Sequence, residues 1–329
     1  MCLWLRHLGA EVDGFSLRPT SERSLFTDCF SGDALASDIG DLRDFQTVSA
    51  SMQRVRPEIV VHMGAQSLVR RSVVDPVETY ATNVMGTVHL LAAIRQQPSV
   101  RAVVNVTSDK CYRNNEWIWP YREIDPLGGR DPYSSSKACA ELVGEAFRQT
   151  YFSDGRAPFV ASARAGNVVG GGDWADDRLI PDCVRAFLRA EPAVIRSPLS
   201  VRPWQHVLEP LTGYLLLAQR LYESGTTFEG SWNFGPDNGN TTRVAHVVDL
   251  LVQRWGTNVH AKMSQDSDAI EATLLEVDSS KARGSLGWRP RLALEITVDW
   301  TADWYQRHAA GERAIELCME QIEKYEAME

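Results

Sequence analysis

Tyr133 and Lys137 stand four residues apart in the stretch YSSSK, so a helix places them on one face. A nearby ammonium favours the phenolate, and such a pair can supply a tyrosine base at neutral pH. Taken alone, the spacing is common on helix surfaces. It gains weight from AVVNVTSDK upstream, an apolar run that breaks into Thr107, Ser108, Asp109 and Lys110. Polar residues at the carboxyl end of a buried strand are where an open α/β sheet carries its active site. A third group lies in RAGNVVGGGDW, DRLIPD and VRPWQHVLEP, which set Arg164, Asn167, Arg178 and Arg202 among glycines, with Trp204 beside them. Arginine forks suit a diphosphate, and a flat indole packs against a base or sugar.

Positioning these groups requires a sheet. EVDGFSL, IVVHMGA, AVVNVTS and FVASARA are short runs rich in Val and Ala with little polar alternation, as strands buried on both faces of a parallel sheet must be. Between them, DPVETYATNVMGTVHLLAAIRQQ and DPYSSSKACAELVGEAFRQTY begin with the Asp-Pro helix-start signal and keep apolar residues at helical spacing. The pattern predicts a doubly wound α/β sheet. HMGAQSLVRRS repeats the strand-to-polar motif, with Gln66, Arg70 and Arg71 after a small-residue turn. In GDLRD, Asp41 follows a further strand, where a carboxylate or backbone amide can meet an adenine. After about Val168 the rhythm breaks into Gly, Pro and Arg, then resumes with EPLTGYLLLAQRLYES, the strand SWNFGP and a mainly helical end. This predicts a smaller, mainly helical lobe from residues 168–202 and 243–329, beside a sheet domain from 1–167 and 203–242.

The 329 residues are 44% hydrophobic and carry a formal charge of −9, enough for a sizeable core and opposed to a general nucleic-acid or anionic-membrane surface. No apolar run reaches bilayer length, and the first residues do not read as a signal peptide. The cytoplasm is the default expectation. Six scattered cysteines form no C-x-x-C pair and have no histidine at zinc spacing, so they read as reduced fillers, with no metal site.

Together these motifs resemble the extended short-chain dehydrogenase/reductases, the NAD-dependent epimerase and dehydratase group that acts on sugar nucleotides. TSDKCY, DPLGGRDPYSSSKACAE and RPWQHVLEPL are similar to its branch that dehydrates CDP-glucose. The dTDP-glucose branch shares the Asp109 position but generally has Glu where this chain has Lys110. The resemblance implies a Rossmann-like domain, NAD as cofactor and CDP-glucose as substrate. It implies oxidation at C4, loss of water across C5–C6 and return of hydride to C6, in deoxysugar and cell-surface polysaccharide synthesis. Tyr133, its pKa lowered by Lys137 and by the nicotinamide charge, takes the 4-hydroxyl proton. Ser108 bonds the 4-oxygen, Asp109 protonates the departing hydroxyl, and Lys110 assists at C5 or holds Asp109 in its state. Asp41, Leu42, Met63, Ala65, Gln66, Asn83, Thr107, Tyr133, Lys137 and Ala165 are implied on the cofactor. Gln66, Arg71, Asn167, Arg178, Leu179, Arg202 and His206 are implied on the substrate. A homodimer through the helices carrying VMGTVHLL and ACAELVGEAF is implied as well. Another sugar-nucleotide 4,6-dehydratase or a 4-epimerase is the alternative.

The opening MCLWLRHLGAEVDGFSL reads as the second half of a helix, a glycine turn and a strand. Members of this group begin with a buried strand and a glycine-rich turn whose amides receive the NAD diphosphate, and here Met1 falls inside the following helix. Three expectations follow: a start codon set downstream of a full enzyme's, a truncated cofactor-free remnant that folds poorly alone, or a sugar-nucleotide binder without redox chemistry. Retention of Ser108, Asp109, Lys110, Tyr133 and Lys137 together speaks against the last.

Overall fold

The computed structural model describes residues 1–19, 23–30, 35–237, 241–256, 258–264 and 274–328. The first helix, α1 (Cys2–His7), buries Trp4 edge-on against Tyr325, and its indole donates to Glu326 at 2.7 Å. Gly9 turns the chain at φ 85°, a backbone conformation that favours glycine, into β1 (Asp13–Ser16). This is the helix, glycine turn and strand that the opening residues predict.

After α2 (Leu25–Phe30), β2 (Ala36–Ile39) pairs in parallel with β1. Asp44 caps α3 (Phe45–Val55) by accepting from Gln46 and Thr47 amides, and the chain enters β3 (Ile59–His62). The helices α4 (Val69–Val74), α5 (Pro76–Tyr80) and α6 (Gly86–Ile94) follow. The expected single helix from Asp75 is interrupted by one π turn at Ala81–Met85. Asn83 in that turn accepts from the Gln66 amide at 2.8 Å and donates to the Gln66 carbonyl and to Ser136 Oγ. A buried amide with both ends satisfied fixes the bulge, which periodicity alone does not show.

Next come β4 (Ala102–Val106), the 20-residue helix α7 (Pro132–Tyr151) and β5 (Phe159–Arg164). The second half contains β6 (Val168–Val169), α8 (Leu179–Leu188), β7 (Ala193–Ile195), β8 (Val201–Pro203) and β9 (Gln205–His206). It continues through α9 (Leu208–Ser224), β10 (Gly230–Asn233), β11 (Thr241–Arg243), α10 (Val244–Trp255), β12 (Ala261–Met263), α11 (Leu294–Ala309) and α12 (Ala314–Glu326).

Four strands form a parallel sheet in the order β10-β5-β4-β3. Helix α7 packs against β5 and against α4, α5 and α6, while α9 packs against β3, β4 and β5. Strand β4 is buried from Ala102 to Asn105, as its apolar composition predicts. The β1-β2 pair is a separate unit, and among the described residues no pairing joins β1 to β3. A second apolar core gathers Ile180, Val184, Ile195, Trp204, Val247 and Trp304, from the helices and short strands after β5.

Candidate active site

Helix α7 starts where the sequence says it should. Asp131 accepts from the Ser134 amide and hydroxyl, and Pro132 occupies the first turn. A Cβ on Gly129 would meet the Ser135 amide nitrogen at 2.3 Å, so only glycine lets this loop lie against the helix start. Tyr133 is thereby fixed in the first turn, with its amide donating to Ser72 Oγ at 3.1 Å. Lys137 lies one turn on, buried, and its Nζ donates to the Val106 carbonyl at 3.3 Å.

The carboxyl end of β4 supplies the facing wall. Thr107 continues the ladder through its amide to Ala163, and Ser108 opens a single 3-10 turn over Asp109–Cys111. Ser108 Oγ donates to Asp109 Oδ1 at 3.0 Å and accepts from the Lys110 amide. Lys110 Nζ stands 3.8 Å from the same carboxylate oxygen. Asp109 is fully buried, and its Oδ2 has no hydrogen-bond partner among the described residues. A Cβ on Gly166 would lie 1.7 Å from that oxygen, so the glycine after β5 is what makes room for the carboxylate.

These groups open on a cavity of about 400 Å³ at the carboxyl ends of β4 and β5. Thr107, Ser108, Asp109, Lys110 and Tyr133 line one side, with Ala165, Asn167, Arg178, Leu179, Arg202 and Trp204 continuing the wall. Asn167 sits at φ 49°, strained for a residue with a side chain, and its Oδ1 is buried without a partner among the described residues. Arg178 is braced by Asp173 and by Ser67 Oγ, each at 2.9 Å. Its guanidinium is thus held at the rim before any ligand arrives.

Burial pushes the Tyr133 phenol above its ordinary value, opposed by the Lys110 charge, a hydrogen bond from Ser108 and Arg178. The lowering expected from Lys137 together with the nicotinamide charge belongs to the cofactor-bound site; in the protein alone, the cation that acts most strongly on the phenol is Lys110. Burial also pushes Lys137 down to about 8, opposed by Glu141.

Several expected residues lie elsewhere. Arg71 forks onto Glu78 at 2.8 Å, and its neighbour Arg70 lines the cavity instead. On so short a helix, adjacent side chains diverge. Gln66 is turned inward, its side-chain amide bonding Thr79 and the Leu68 carbonyl. His206 is buried against Trp300 and Gln321, outside the cavity lining, with its pKa lowered by burial to about 4. Arg164, grouped in sequence with the diphosphate arginines, points into the core and forks onto Glu141. Asp41 is engaged by Arg43, and the Leu42 side chain lies against Gly64 and Gly86. With exposed Met63 and with Ala65 and Asn83, these two cluster around the carboxyl end of β3, away from the cavity lining. Arg196, not anticipated, lines the cavity and pairs with Asp177 at 2.8 Å. It follows the apolar strand β7, so the same strand-end rule that singled out Ser108 could have found it.

A family model described as GDP-mannose 4,6 dehydratase matches residues 30–301. The chain is 47% identical over 99% of its length to a CDP-glucose 4,6-dehydratase of Salmonella typhimurium, covering 92% of that protein. The chain belongs to the GDP-mannose 4,6 dehydratase family. Among solved structures, a UDP-glucose-4-epimerase from Stenotrophomonas maltophila with bound NAD and formylated UDP-arabinopyranose superposes with a TM-score of 0.79 at 21% identity, covering 94% of this chain and 95% of that one. A dTDP-glucose 4,6-dehydratase from Streptomyces venezuelae with NAD and TYD bound gives 0.72 at 23% identity, over 87% and 84% of the two chains. The family's Rossmann-like α/β architecture is the one described above. No helix of the described residues is long and apolar enough to cross a membrane.

Proposed function

We propose that this family member is an NAD-dependent 4,6-dehydratase that converts CDP-glucose to CDP-4-keto-6-deoxyglucose. The observation that carries the reading is the cavity in which Ser108, Asp109, Lys110 and Tyr133 meet Arg178 and Arg202. The relative at 47% identity, of which this chain covers 92%, is named for that reaction.

The residues present fit the redox end of NAD. Thr107, Tyr133 and Ala165 line the cavity with Lys137 behind them, beside the groups read here as acid and base. For the diphosphate end, no glycine-rich turn beside β3 leads from a strand into a helix among the described residues. When bound, NAD supplies the hydride acceptor for C4 and the hydride returned to C6. Tyr133 takes the proton of the 4-hydroxyl, with Ser108 donating to the 4-oxygen. The resulting 4-ketone acidifies C5–H, and in this reading Lys110 assists at C5 or holds Asp109 in its protonation state. Asp109 enters this step as the neutral acid, with its proton on the Oδ2 otherwise unpartnered among the described residues, and gives that proton to the 6-hydroxyl as it leaves as water. Arg178 and Arg202 hold the diphosphate, Asn167 and Leu179 flank it, and Trp204 packs against the sugar or base.

The sheet lobe of residues 1–167 and 203–242 serves the cofactor in this reading, and 168–202 with 243–329 the sugar nucleotide. A homodimer is proposed through the π turn with α6 and through α7, where Met85 and Leu142 are exposed, with exposed Val74 at the end of α4 and Val77 on α5 beside them. The cytoplasm is proposed as its compartment, where six free thiols remain reduced.

The test is incubation with NAD and CDP-glucose, followed by mass spectrometry for loss of one water. A keto-deoxy product supports the reading. Preference for dTDP-glucose or UDP-glucose would overturn the nucleotide assignment, and a C4 epimer would replace the dehydratase by an epimerase. Calorimetry with NAD alone reports whether this chain holds the cofactor.

A further inference from the structure

Beneath the cavity floor lies a charged pair that the chemistry above does not use. Glu141 follows Lys137 by one turn of α7, and Arg164 ends β5; both side chains are 3% exposed. Arg164 Nε and Nη2 donate to the two Glu141 oxygens at 2.9 and 2.8 Å. The other guanidinium nitrogen donates to Tyr112 at 2.8 Å and to the Glu123 carbonyl, and Ser231 Oγ donates to Glu141 at 3.1 Å. One further donor reaches Glu141: the hydroxyl of Thr107, the residue that immediately precedes Ser108 and Asp109.

A buried fork of this kind is costly to desolvate and is a poor source of net stability. Its value lies in geometry, because a carboxylate held by two parallel bonds has no freedom to move. We propose that Glu141 is the positioning residue of this site: clamped by Arg164, its carboxylate anchors Thr107 and the polar strand end behind it, and stands one helical turn from the ammonium of Lys137. The proposal rests on the reading of Tyr133 and Lys137 as the base pair.

The ammonium is faced by Glu141 from its own helix, by Cys111 from the turn after β4 and by His62 from β3. Cys111 is buried and its thiol is pushed well up, and His62 is buried and held neutral near neutral pH, with its pKa lowered to about 3. Glu141 is the carboxylate in this set; burial pushes it up, but Arg164, Thr107 and Ser231 hold it below its ordinary value. It is therefore the group that opposes loss of the Lys137 proton. Arg164 sits on the far side of that carboxylate and keeps it ionised.

The chain has only five lysines, so biosynthetic labelling at the lysine ε-carbon gives an assignable NMR titration of the full-length protein, with Lys137→Arg identifying the signal. A midpoint near 8 is expected for the parent chain. In Glu141→Gln it should fall by at least about one pH unit, and in Glu141→Asp, which keeps the charge, by less than about half a unit. For CDP-glucose turnover, kcat should drop about tenfold or more in Glu141→Gln with KM within about twofold. An unmoved Lys137 midpoint in a folded Glu141→Gln protein would overturn the proposal. Should that variant fail to fold, Glu141→Asp decides, since it retains a partner for Arg164 but is too short to hold Thr107 as well. A several-fold lower kcat is then expected, and parental kcat would overturn the proposal. The titration needs neither substrate nor cofactor, so an inactive parent would sink the dehydratase reading and leave Glu141 to be judged on the midpoint alone.

Discussion

The carboxyl ends of β4 and β5 and the edge formed by β3 belong to one sheet but are built differently. Every β4 residue from Ala102 to Asn105 is buried, and the turns beyond β4 and β5 are locked by Asp109, Gly166 and the Glu141–Arg164 fork. On β3, Ile59 is 42% exposed, and β1 and β2 contain no fully buried residue. The groups proposed for the acid–base chemistry therefore stand on the sealed side of the sheet. Asp41, Leu42 and Met63, expected on the cofactor, stand on the open side. Catalytic groups need positions held to a fraction of an ångström, and the sealed strands supply that.

Mutations on the two sides should separate accordingly. The largest effect is expected from Tyr133→Phe, which removes the proposed base without disturbing the helix cap. Its kcat for CDP-glucose should fall about 10²–10⁴-fold with an unchanged thermal midpoint, and full activity would remove the tyrosine from the mechanism. Next, Gly166→Ala places a methyl on Asp109 and should cost about 1–3 kcal/mol of stability through overpacking. It should also slow water loss more than exchange of the C5 proton with deuterated solvent, read by mass spectrometry.

Packing on the two sides should differ in urea denaturation. Val104→Ala, at a site with no exposure, should cost about 2 kcal/mol, and Ile59→Ala on the open edge under about 1 kcal/mol. Equal costs would show that β3 is as well sealed as β4. The smallest effect is on pH dependence. Lys137 titrates near 8 in the folded protein and near 10.5 when unfolded. The unfolded chain therefore binds more protons between those values, and the contribution of Lys137 to stability rises with pH across that window. Lys137→Met should flatten that rise in thermal melts taken from pH 7 to 10.

Much of this was legible before any coordinates. The helix cap at Asp131, the strand that ends at Thr107, the Tyr133–Lys137 spacing and the opening helix, glycine turn and strand are short-range patterns, and the structure contains each of them. The π turn around Asn83 was not legible, because it is stabilised by Gln66 and Ser136, which are 17 and 53 residues away in sequence. Neither was the fate of the arginines. Arg71 and Arg164 look in sequence like their neighbours Arg70 and Arg178, and they part only because Glu78 and Glu141 claim them.

The sequence by itself determined which residue types could do chemistry and on which element each would lie, since helix and strand periodicity, caps and turns are written within a few residues. Tertiary structure decided which arginines face the cavity, that burial raises the Tyr133 phenol while Lys110 stands as its strongest opposing charge, and that the sheet is sealed around β4 but open at β3. Those outcomes depend on desolvation and on partners brought together from distant parts of the chain, and no local pattern carries them.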